Sequence, residues 1–364
     1  MARPRIPARA LAVSPMVAIW EVTRACDLAC THCRASAMAR RDPRELTTAE
    51  GLDLIEQLAE LDPGVVVLTG GDPVKRPDLF ELIAAAVRRG LNVAVAPSVT
   101  PLLTADVVAR FAAAGVRRIA LSLDGPDAAT HDGMRGVPGA FARTLEAIRA
   151  ARAVDLPIQI NTSLTRITVE RLAETAALVE EVAPALWSVF IVVPTGRAGR
   201  DVQLDADACE RVFEFLYAWS VRTGLPVKTT AAEAFRRVVV TREAERARRD
   251  PAYRRRPAPP PVNDGKGFVF VSHTGDVQPS GFLPITAGNV REERLASIYR
   301  TSALFRSLRS EWLIEGKCGR CPYRTLCGGS RARAYATTGN PLAADPACAY
   351  QPPEAPASVG GELG

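Results

Sequence analysis

Short apolar segments alternate with amphipathic helical patterns from Val17 to Thr223, and this alternation limits the possible folds more than any other feature. Strands that are apolar on both faces and separated by helices form parallel sheets. The sequence therefore predicts an α/β fold, a partial (β/α)6 TIM-like barrel followed by a small C-terminal domain. The six predicted strands cover residues 17–22, 65–69, 91–97, 117–123, 157–164 and 187–194.

The chemically distinctive residues of this region follow the predicted strands. In (β/α) barrels the loops at the carboxyl ends of the strands carry the chemistry. We therefore expect these residues to meet on one open face of the barrel. They are Cys26, Cys30 and Cys33 after the first strand, Gly70, Gly71, Asp72 and Pro73 after the second, Ser98 after the third, Ser122 at the fourth, Asn161 at the fifth and Val193 at the sixth.

The eight cysteines indicate metal or cluster ligation rather than disulfides. Prolines interrupt the N-terminal apolar residues, so no secretory signal is evident, and no run is long enough to span a membrane. The sequence therefore predicts a cytoplasmic protein, in a compartment that keeps thiols reduced. Seven of the cysteines fall into two groups, Cys26, Cys30 and Cys33, and Cys318, Cys321, Cys327 and Cys348.

Three cysteines at C-x3-C-x2-C spacing suit a [4Fe–4S] cubane, because three thiolates leave one iron open to a small chelating molecule. Gly70 and Gly71 allow close backbone approach, and Asp72 is expected to accept hydrogen bonds from an ammonium group. Ser98, Ser122 and Asn161 are expected to contact a ribose or a carboxylate. Val193 belongs to an apolar segment suited to a planar base.

These motifs resemble those of the radical S-adenosylmethionine (radical SAM) enzymes. The resemblance rests on the cysteine motif with His32 before its last cysteine, and on the GGDP loop at residues 70–73 in place of the commoner GGEP. It implies that S-adenosylmethionine (AdoMet) binds the open iron through its amino and carboxylate groups. Reductive cleavage would then give a 5′-deoxyadenosyl radical that abstracts hydrogen from a substrate. A reductant such as flavodoxin or ferredoxin is implied as partner.

The C-terminal cysteines resemble the auxiliary-cluster segment of SPASM or twitch domains. Cys318, Cys321, Cys327 and Cys348 would hold one fully ligated auxiliary [4Fe–4S] cluster, with zinc as the alternative. Ser280 and Ser330 stand where enzymes with two auxiliary clusters have cysteines. The resemblance implies a tetrapyrrole substrate, as in heme or heme d1 biosynthesis, or a ribosomal peptide. The competing class is a non-enzymatic metal-binding protein or iron–sulfur electron carrier.

The predicted domains are an extension at 1–16, the barrel at 17–225, a basic proline-rich linker at 226–266, the cluster domain at 267–352 and a tail at 353–364. Nine arginines lie between Arg236 and Arg256, either as a solvated surface or as a docking site for an acidic partner. Nucleic acid is not expected as a partner, because stacking aromatics are scarce there. Cys209 is expected in the core, and Arg331 and Arg333 either bind substrate carboxylates or pack the cluster loop.

Overall fold

The structure is a computed structural model and describes residues 8–353. Within this range the strands are β1 (Val17–Thr23), β2 (Val65–Gly70), β3 (Val93–Val95), β4 (Arg118–Ser122), β5 (Ile158–Leu164), β6 (Leu186–Ile191), β7 (Val227–Thr230), β8 (Phe268–Val271), β9 (Asp276–Gln278) and β10 (Gly288–Asn289). The helices are α1 (Ala8–Val13), α2 (Thr48–Leu61), α3 (Leu79–Arg88), α4 (Ala105–Ala113), α5 (Ala128–Arg135), α6 (Ala140–Ala153), α7 (Leu172–Val182), α8 (Ala206–Thr223), α9 (Phe235–Arg249), α10 (Leu295–Thr301), α11 (Ala303–Arg309), α12 (Gly316–Gly319) and α13 (Arg331–Thr338).

All described strands form one open sheet in the order β10-β9-β8-β1-β2-β3-β4-β5-β6-β7. Strands β1 to β7 are parallel to their neighbours, and helices separate β1 to β6 along the chain. This arrangement confirms the predicted parallel α/β fold and the partial barrel. The fourth predicted strand, for example, is present at Arg118–Ser122.

Residues 226–266 differ from the linker that the sequence predicts. They contain β7, which extends the sheet beyond β6, and helix α9, which packs on α8. Arg237 and Arg242 of α9 form ion pairs with Glu210 and Glu214 of α8. The net positive charge of the segment suggested a solvated linker. The carboxylates that pair with these two arginines lie on α8, outside the segment.

Capping residues fix the helix ends next to the barrel. Thr47 and Glu50 form a reciprocal capping box at the start of α2, which satisfies two backbone donors that the helix leaves open. Asp205 caps α8, and Gly224 ends it with a left-handed backbone at φ 73°. The chain can therefore turn directly from α8 into β7.

The core lies between the convex face of the sheet and the helices. Trp20 of β1 and Trp187 of β6 are fully buried, and Trp187 packs edge to face against Trp219 of α8 with ring centroids 4.8 Å apart. The indole N–H of Trp187 donates to the Thr162 hydroxyl of β5 at 2.9 Å. Burial of these large side chains holds the helices on one face of the strands, while the other face is left to line an interior cavity.

The C-terminal region joins the barrel through strand pairing. β8 runs parallel to β1 and pairs antiparallel with β9, and His273 lies in the turn between β8 and β9. At the end of β1, the buried Glu21 carboxylate binds Arg34 at 2.8 Å and the Nδ1 atom of His273 at 3.0 Å. Burial raises the pKa of Glu21, but Arg34, His273 and Arg24 outweigh it and lower the pKa to about 2. This carboxylate thus links the cysteine loop to the C-terminal hairpin.

Residues 1–7 and 354–364, which include nearly all of the predicted tail, lie outside the described residues. In the part of the chain that the structure covers, no helix combines the length and the apolar character needed to cross a bilayer.

Candidate active site

A cavity of about 2130 Å³ runs along the interior of the barrel. Most of the residues that the sequence singles out lie on its wall. The wall includes Cys26, Cys30, Cys33, Gly70, Gly71, Ser98, Ser122, Asn161 and Val193.

The loop that follows β1 shapes the three-cysteine site. The amide of Cys26 donates to the Met38 carbonyl at 2.8 Å, so both ends of the loop are held together. The amides of Leu28 and Ala37 approach the Sγ atoms of Cys26 and Cys33 at 3.3 and 3.4 Å. Amides aimed at sulfur stabilise thiolates and are among the factors that tune iron–sulfur clusters. The donor set and its amides therefore fit a cluster held by three cysteines.

The charges around Cys30 also suit an anionic sulfur. Burial raises the pKa of the Cys26 and Cys30 thiols, so a bare thiolate at either position is unfavourable without a compensating cation. Arg135 Nη1 lies 3.8 Å from Cys30 Sγ, and the same guanidinium pairs with buried Asp124. Asp124 is itself held by the amide of Ser163 at 2.7 Å. Arg135 is thus fixed beside the cysteine loop.

The glycines after β2 pack directly on the backbone that leads to the cysteines. The amide of Gly71 donates to the Thr23 carbonyl at 2.8 Å, and a Cβ at Gly71 would lie 2.6 Å from the carbonyl oxygen of Ala25. The Ser98 hydroxyl donates to the Gly71 carbonyl at 2.5 Å and lies 3.4 Å from Cys26 Sγ. Ser98 therefore connects the glycine loop with the first cysteine.

Asp72 and Pro73 are absent from the cavity wall, unlike the glycines before them. The Asp72 carboxylate is fully buried and accepts hydrogen bonds from the Thr100 hydroxyl at 2.8 Å and the Val74 amide at 3.1 Å. Burial raises its pKa to about 6. The structure thus gives Asp72 a role in holding its own loop, because the short side chain caps the 3-10 turn at Pro73–Lys75. The predicted contact between this carboxylate and an ammonium stays a prediction.

Ser122 and Asn161 are neighbours across the paired strands β4 and β5. The Asn161 side-chain oxygen accepts from Gln159 Nε2 at 2.7 Å, which orients the amide within the cavity. Val193 follows β6 and is 2% exposed, so it contributes apolar surface to the same wall. All three residues line the cavity, and their contacts to a ribose, a carboxylate or a planar base stay a prediction.

Two of the histidines lie in the barrel. His32 lines the cavity, and desolvation lowers its pKa to about 4. Its Nδ1 atom is buried and finds no hydrogen-bond partner among residues 8–353. His131 is buried in α5, where its Nδ1 atom accepts from the Asp124 amide at 3.0 Å and desolvation lowers its pKa to about 4. Neutral His131 thus supports the loop that follows β4 and carries Asp124.

The second cysteine group lines a small separate cavity. The four are Cys318, Cys321, Cys327 and Cys348. The amides of Gly329 and Asp345 approach Cys327 Sγ and Cys318 Sγ, both at 3.4 Å. Gly329 has a left-handed φ of 69°, and a Cβ there would lie 3.0 Å from Cys318 Sγ. This second set of thiols therefore also sits in a cradle of backbone amides that fits a thiolate-bound cluster.

All eight cysteines are free thiols. Among residues 8–353, no three His, Cys, Asp or Glu side chains form a group that could hold a single metal ion. Cys209 is fully buried in α8 as part of the main core, as expected, and burial raises its pKa to about 12.

Ser280 and Ser330, which stand where enzymes with two auxiliary clusters have cysteines, form hydrogen bonds to other groups. Ser330 caps α13 by accepting from the Arg333 amide at 3.2 Å, and its own amide donates to Asp345 at 2.8 Å. The Ser280 hydroxyl accepts from the Phe282 amide at 3.3 Å. Neither serine lines the cavity of the four cysteines.

Arg331 and Arg333 pack the cluster loop, which was one of their two predicted roles. Both are nearly fully buried. Arg331 donates to the carbonyls of Pro341 and Ala343 at 2.9 and 2.7 Å. Arg333 donates to the carbonyl of Ala231, just after β7, at 2.6 Å. These guanidiniums are used to fix backbone rather than to face the large cavity.

Lys228 and Glu233 also line the cavity but were not predicted as site residues. Lys228 lies on β7, and Glu233 lies between β7 and α9. β7 has only four residues, VKTT, of which only Val227 is strongly apolar. This pattern is weaker than the continuous apolar runs of the other strands.

We predict that Gly71→Ala slows AdoMet cleavage on the order of a hundredfold, because a shift of about 1 Å between reacting groups costs that much. The added Cβ would overlap backbone carbonyls that cannot move without displacing the cysteine loop. The matched control is Gly133→Ala on α5, where an added Cβ meets no atom within 4 Å. The measurement is 5′-deoxyadenosine formation, with thermal unfolding to verify the fold. Equal rates for both variants would contradict the proposed role of the glycine loop.

Comparison with known proteins agrees with this geometry. The family model described as Radical SAM superfamily matches residues 20–179. The AdoMet-dependent heme synthase of Nitratidesulfovibrio vulgaris is 39% identical over 92% of this chain and 92% of its own length. The mycofactocin maturase MftC of Mycobacterium tuberculosis is 30% identical over 92% of this chain and 83% of its own. The crystal structure of Streptococcus suis SuiB bound to S-adenosylmethionine has a similar fold, with a TM-score of 0.71 at 18% identity, covering 93% of this chain and 78% of SuiB.

Proposed function

Because this chain is an enzyme of the radical SAM superfamily, we propose that it modifies a side chain of a carboxylated tetrapyrrole in heme biosynthesis. The observation that carries this proposal is the similarity to an AdoMet-dependent heme synthase over almost the whole of both chains. Family membership also sets aside the competing prediction of a non-enzymatic metal-binding protein or electron carrier, since the named relatives are enzymes.

The superfamily implies AdoMet and a [4Fe–4S] cluster, which together supply a 5′-deoxyadenosyl radical when they are bound and reduced. We propose Cys26, Cys30 and Cys33 as the three protein ligands of that cluster. Their support is the shared cavity wall and the amides aimed at sulfur. Arg135, next to Cys30, would raise the reduction potential through its positive charge.

The proposed AdoMet contacts lie around the same loop. The backbone of Gly70 and Gly71 would meet the amino group, and Ser122 and Asn161 the ribose or carboxylate. Val193 would pack against the adenine. The shared cavity wall supports this assignment. Asp72 and Pro73 would act indirectly by holding the loop, because the Asp72 carboxylate is already satisfied by Thr100 and Val74.

We propose that Cys318, Cys321, Cys327 and Cys348 hold one auxiliary [4Fe–4S] cluster. Support comes from the small cavity that they share and from the amides of Gly329 and Asp345. Arg237 lines the same small cavity, where burial lowers its pKa but Glu210 and, to a smaller extent, Cys348 and Cys327 raise it. Its guanidinium would offset part of the negative charge of this site. A flavodoxin or ferredoxin would deliver the electrons.

The size of the barrel cavity supports a large substrate. Its volume of about 2130 Å³ exceeds the roughly 300–1,000 Å³ of ordinary small-molecule pockets. The three-cysteine cluster and AdoMet would occupy part of this space, and the remainder would accommodate a substrate as large as a tetrapyrrole. A ribosomal peptide is the second candidate, and the similarity to a mycofactocin maturase favours it. We rank the tetrapyrrole first because the identity to the heme synthase is higher.

The experiment uses anaerobically reconstituted, reduced full-length protein with AdoMet. It compares an iron porphyrin that carries four carboxylate side chains with a set of candidate precursor peptides. We expect the porphyrin to stimulate 5′-deoxyadenosine formation and to change mass, as followed by liquid chromatography and mass spectrometry. Stimulation by a peptide alone would favour the second candidate. AdoMet cleavage that no porphyrin stimulates would contradict the tetrapyrrole proposal.

A further inference from the structure

One wall of the barrel cavity is apolar. Ile19 of β1 is in register with Phe270 of β8 on one side and with Val67 of β2 on the other, and Val67 is in register with Ala94 of β3. All four side chains line the cavity. Because residues in register lie side by side about 4.8 Å apart, they form an apolar surface across four strands. At its β8 edge the Arg34 guanidinium lies 4.7 Å from the centre of the Phe270 ring.

The opposite wall is polar and basic. Asn161 of β5, Ser188 of β6 and Lys228 of β7 are in register and all line the cavity. Arg118 of β4 lines it as well and donates to the Gln159 side chain at 3.3 Å. The cavity therefore has two chemically different faces, as a flat apolar molecule with anionic side chains requires.

Lys228 is the most informative residue of the basic wall. Its side chain is exposed to the cavity, and among residues 8–353 its amine makes no hydrogen bond or salt bridge. Desolvation, together with the charges of Arg236 and Arg118, lowers its pKa to about 8. An anion that enters the cavity can therefore reach this amine and offset the positive charge around it.

The acidic groups near Lys228 do not replace such an anion. Glu233 is 7% exposed, and burial raises its pKa to about 7, so this carboxyl is only partly ionised at neutral pH. Burial also raises the pKa of Asp264, whose carboxylate accepts from the Ala332 amide at 2.8 Å. Arg236 is anchored to the Leu326 carbonyl at 3.2 Å and adds positive charge. The charged groups facing Lys228 thus leave the wall cationic.

We propose that Lys228 binds a carboxylate of the substrate, with Arg118 on the same basic wall, while the apolar wall holds the macrocycle. This inference rests on the proposed function and identifies the residue that selects a carboxylated tetrapyrrole. Lys228 lies two strands from Asn161, or roughly 10 Å away at ordinary strand spacing. A carboxylate held there would keep the neighbouring side chain close to the proposed AdoMet site.

The test measures binding of a fluorescent metal-free porphyrin with four carboxylates and of its uncharged tetra-amide to the reconstituted protein. Lys228→Met removes the charge and keeps most of the side-chain volume. It should weaken tetracarboxylate binding roughly ten- to a hundredfold, the usual worth of a charge-assisted hydrogen bond. Binding of the tetra-amide should stay unchanged. Lys228→Arg should restore tetracarboxylate binding, and Lys266→Met, a lysine outside the cavity wall, should have no effect.

The pH dependence gives an independent arm. Since the amine of Lys228 loses its proton near pH 8, wild-type affinity for the tetracarboxylate should fall as pH rises through that value. Ionisation of Glu233 near pH 7 acts in the same direction. The arginine of Lys228→Arg stays charged over this pH range. The part of the fall in affinity that is absent from this variant is therefore caused by deprotonation of Lys228.

Wild-type affinity for the tetracarboxylate in Lys228→Met would overturn the inference and leave the proposed function standing. If Lys228→Met lost AdoMet affinity as strongly as tetracarboxylate affinity, the amine would bind the AdoMet carboxylate instead. That result would also overturn the inference. Failure of the wild-type protein to bind either porphyrin would instead contradict the proposed function, and the inference with it.

Discussion

Replacing Cys30 with alanine should reduce AdoMet cleavage to the background of an assay without protein. Only three cysteines, Cys26, Cys30 and Cys33, line the cavity near the glycine loop, so the loss of one leaves too few thiolates to hold the cluster. The fold should survive, because the barrel is held by its strands and by the buried residues under the helices. The measurements are 5′-deoxyadenosine formation, iron content and circular dichroism.

The matched control is Cys209→Ala. This cysteine is fully buried in the core on α8, so its loss should cost about 1 kcal/mol of stability, as for the removal of one methyl-sized group. Cluster content and cleavage should remain as in wild type. Wild-type cleavage by Cys30→Ala would refute the assignment of the three ligands, and loss of cleavage in Cys209→Ala alone would point to a different cluster site.

The second large effect concerns the number of clusters. Reconstituted wild-type protein should contain about eight irons and eight sulfides per chain, which corresponds to two cubanes. Replacing Cys318 and Cys321 together with alanine should leave about four irons, those of the three-cysteine site. Ser330→Cys should not add a cluster, because position 330 caps α13 and lies outside the cavity of the four cysteines.

Only the three-cysteine cluster should respond to AdoMet in electron paramagnetic resonance, since the auxiliary cluster would have four thiolates and no open iron. A content near twelve irons would mean that other groups replace the missing cysteines. Four irons with one zinc would make the C-terminal site structural and would contradict the auxiliary cluster.

The sequence predicted the parts of the fold that depend on strongly apolar strands. β1 to β6 are present and parallel, and the residues after them line one cavity. β7 was not predicted, because Lys228 and Thr230 give it a polar face that a buried parallel strand normally lacks. That polar face lines the cavity, so the missed strand carries Lys228, the residue that we propose binds the substrate carboxylate.

Side-chain direction was the other limit of sequence-based prediction. The GGDP pattern correctly located a loop against the cysteines, but it could not show that Asp72 turns away to bind Thr100. The pattern of the C-terminal cysteines likewise located their common cavity, whereas the capping role of Ser330 depends on where α13 begins. Arg333 reaches the carbonyl of Ala231, a contact between residues far apart in the sequence.

The central claim is that the enzyme abstracts hydrogen from a side chain of a carboxylated tetrapyrrole. The most direct measurement uses an iron porphyrin tetracarboxylate deuterated on its side chains, with AdoMet and the reduced enzyme under anaerobic conditions. One atom moves from the substrate carbon to the 5′ carbon, so the 5′-deoxyadenosine should gain a single deuterium while the porphyrin loses one. Formation of 5′-deoxyadenosine without deuterium, from a porphyrin that is recovered unchanged, would contradict the claim.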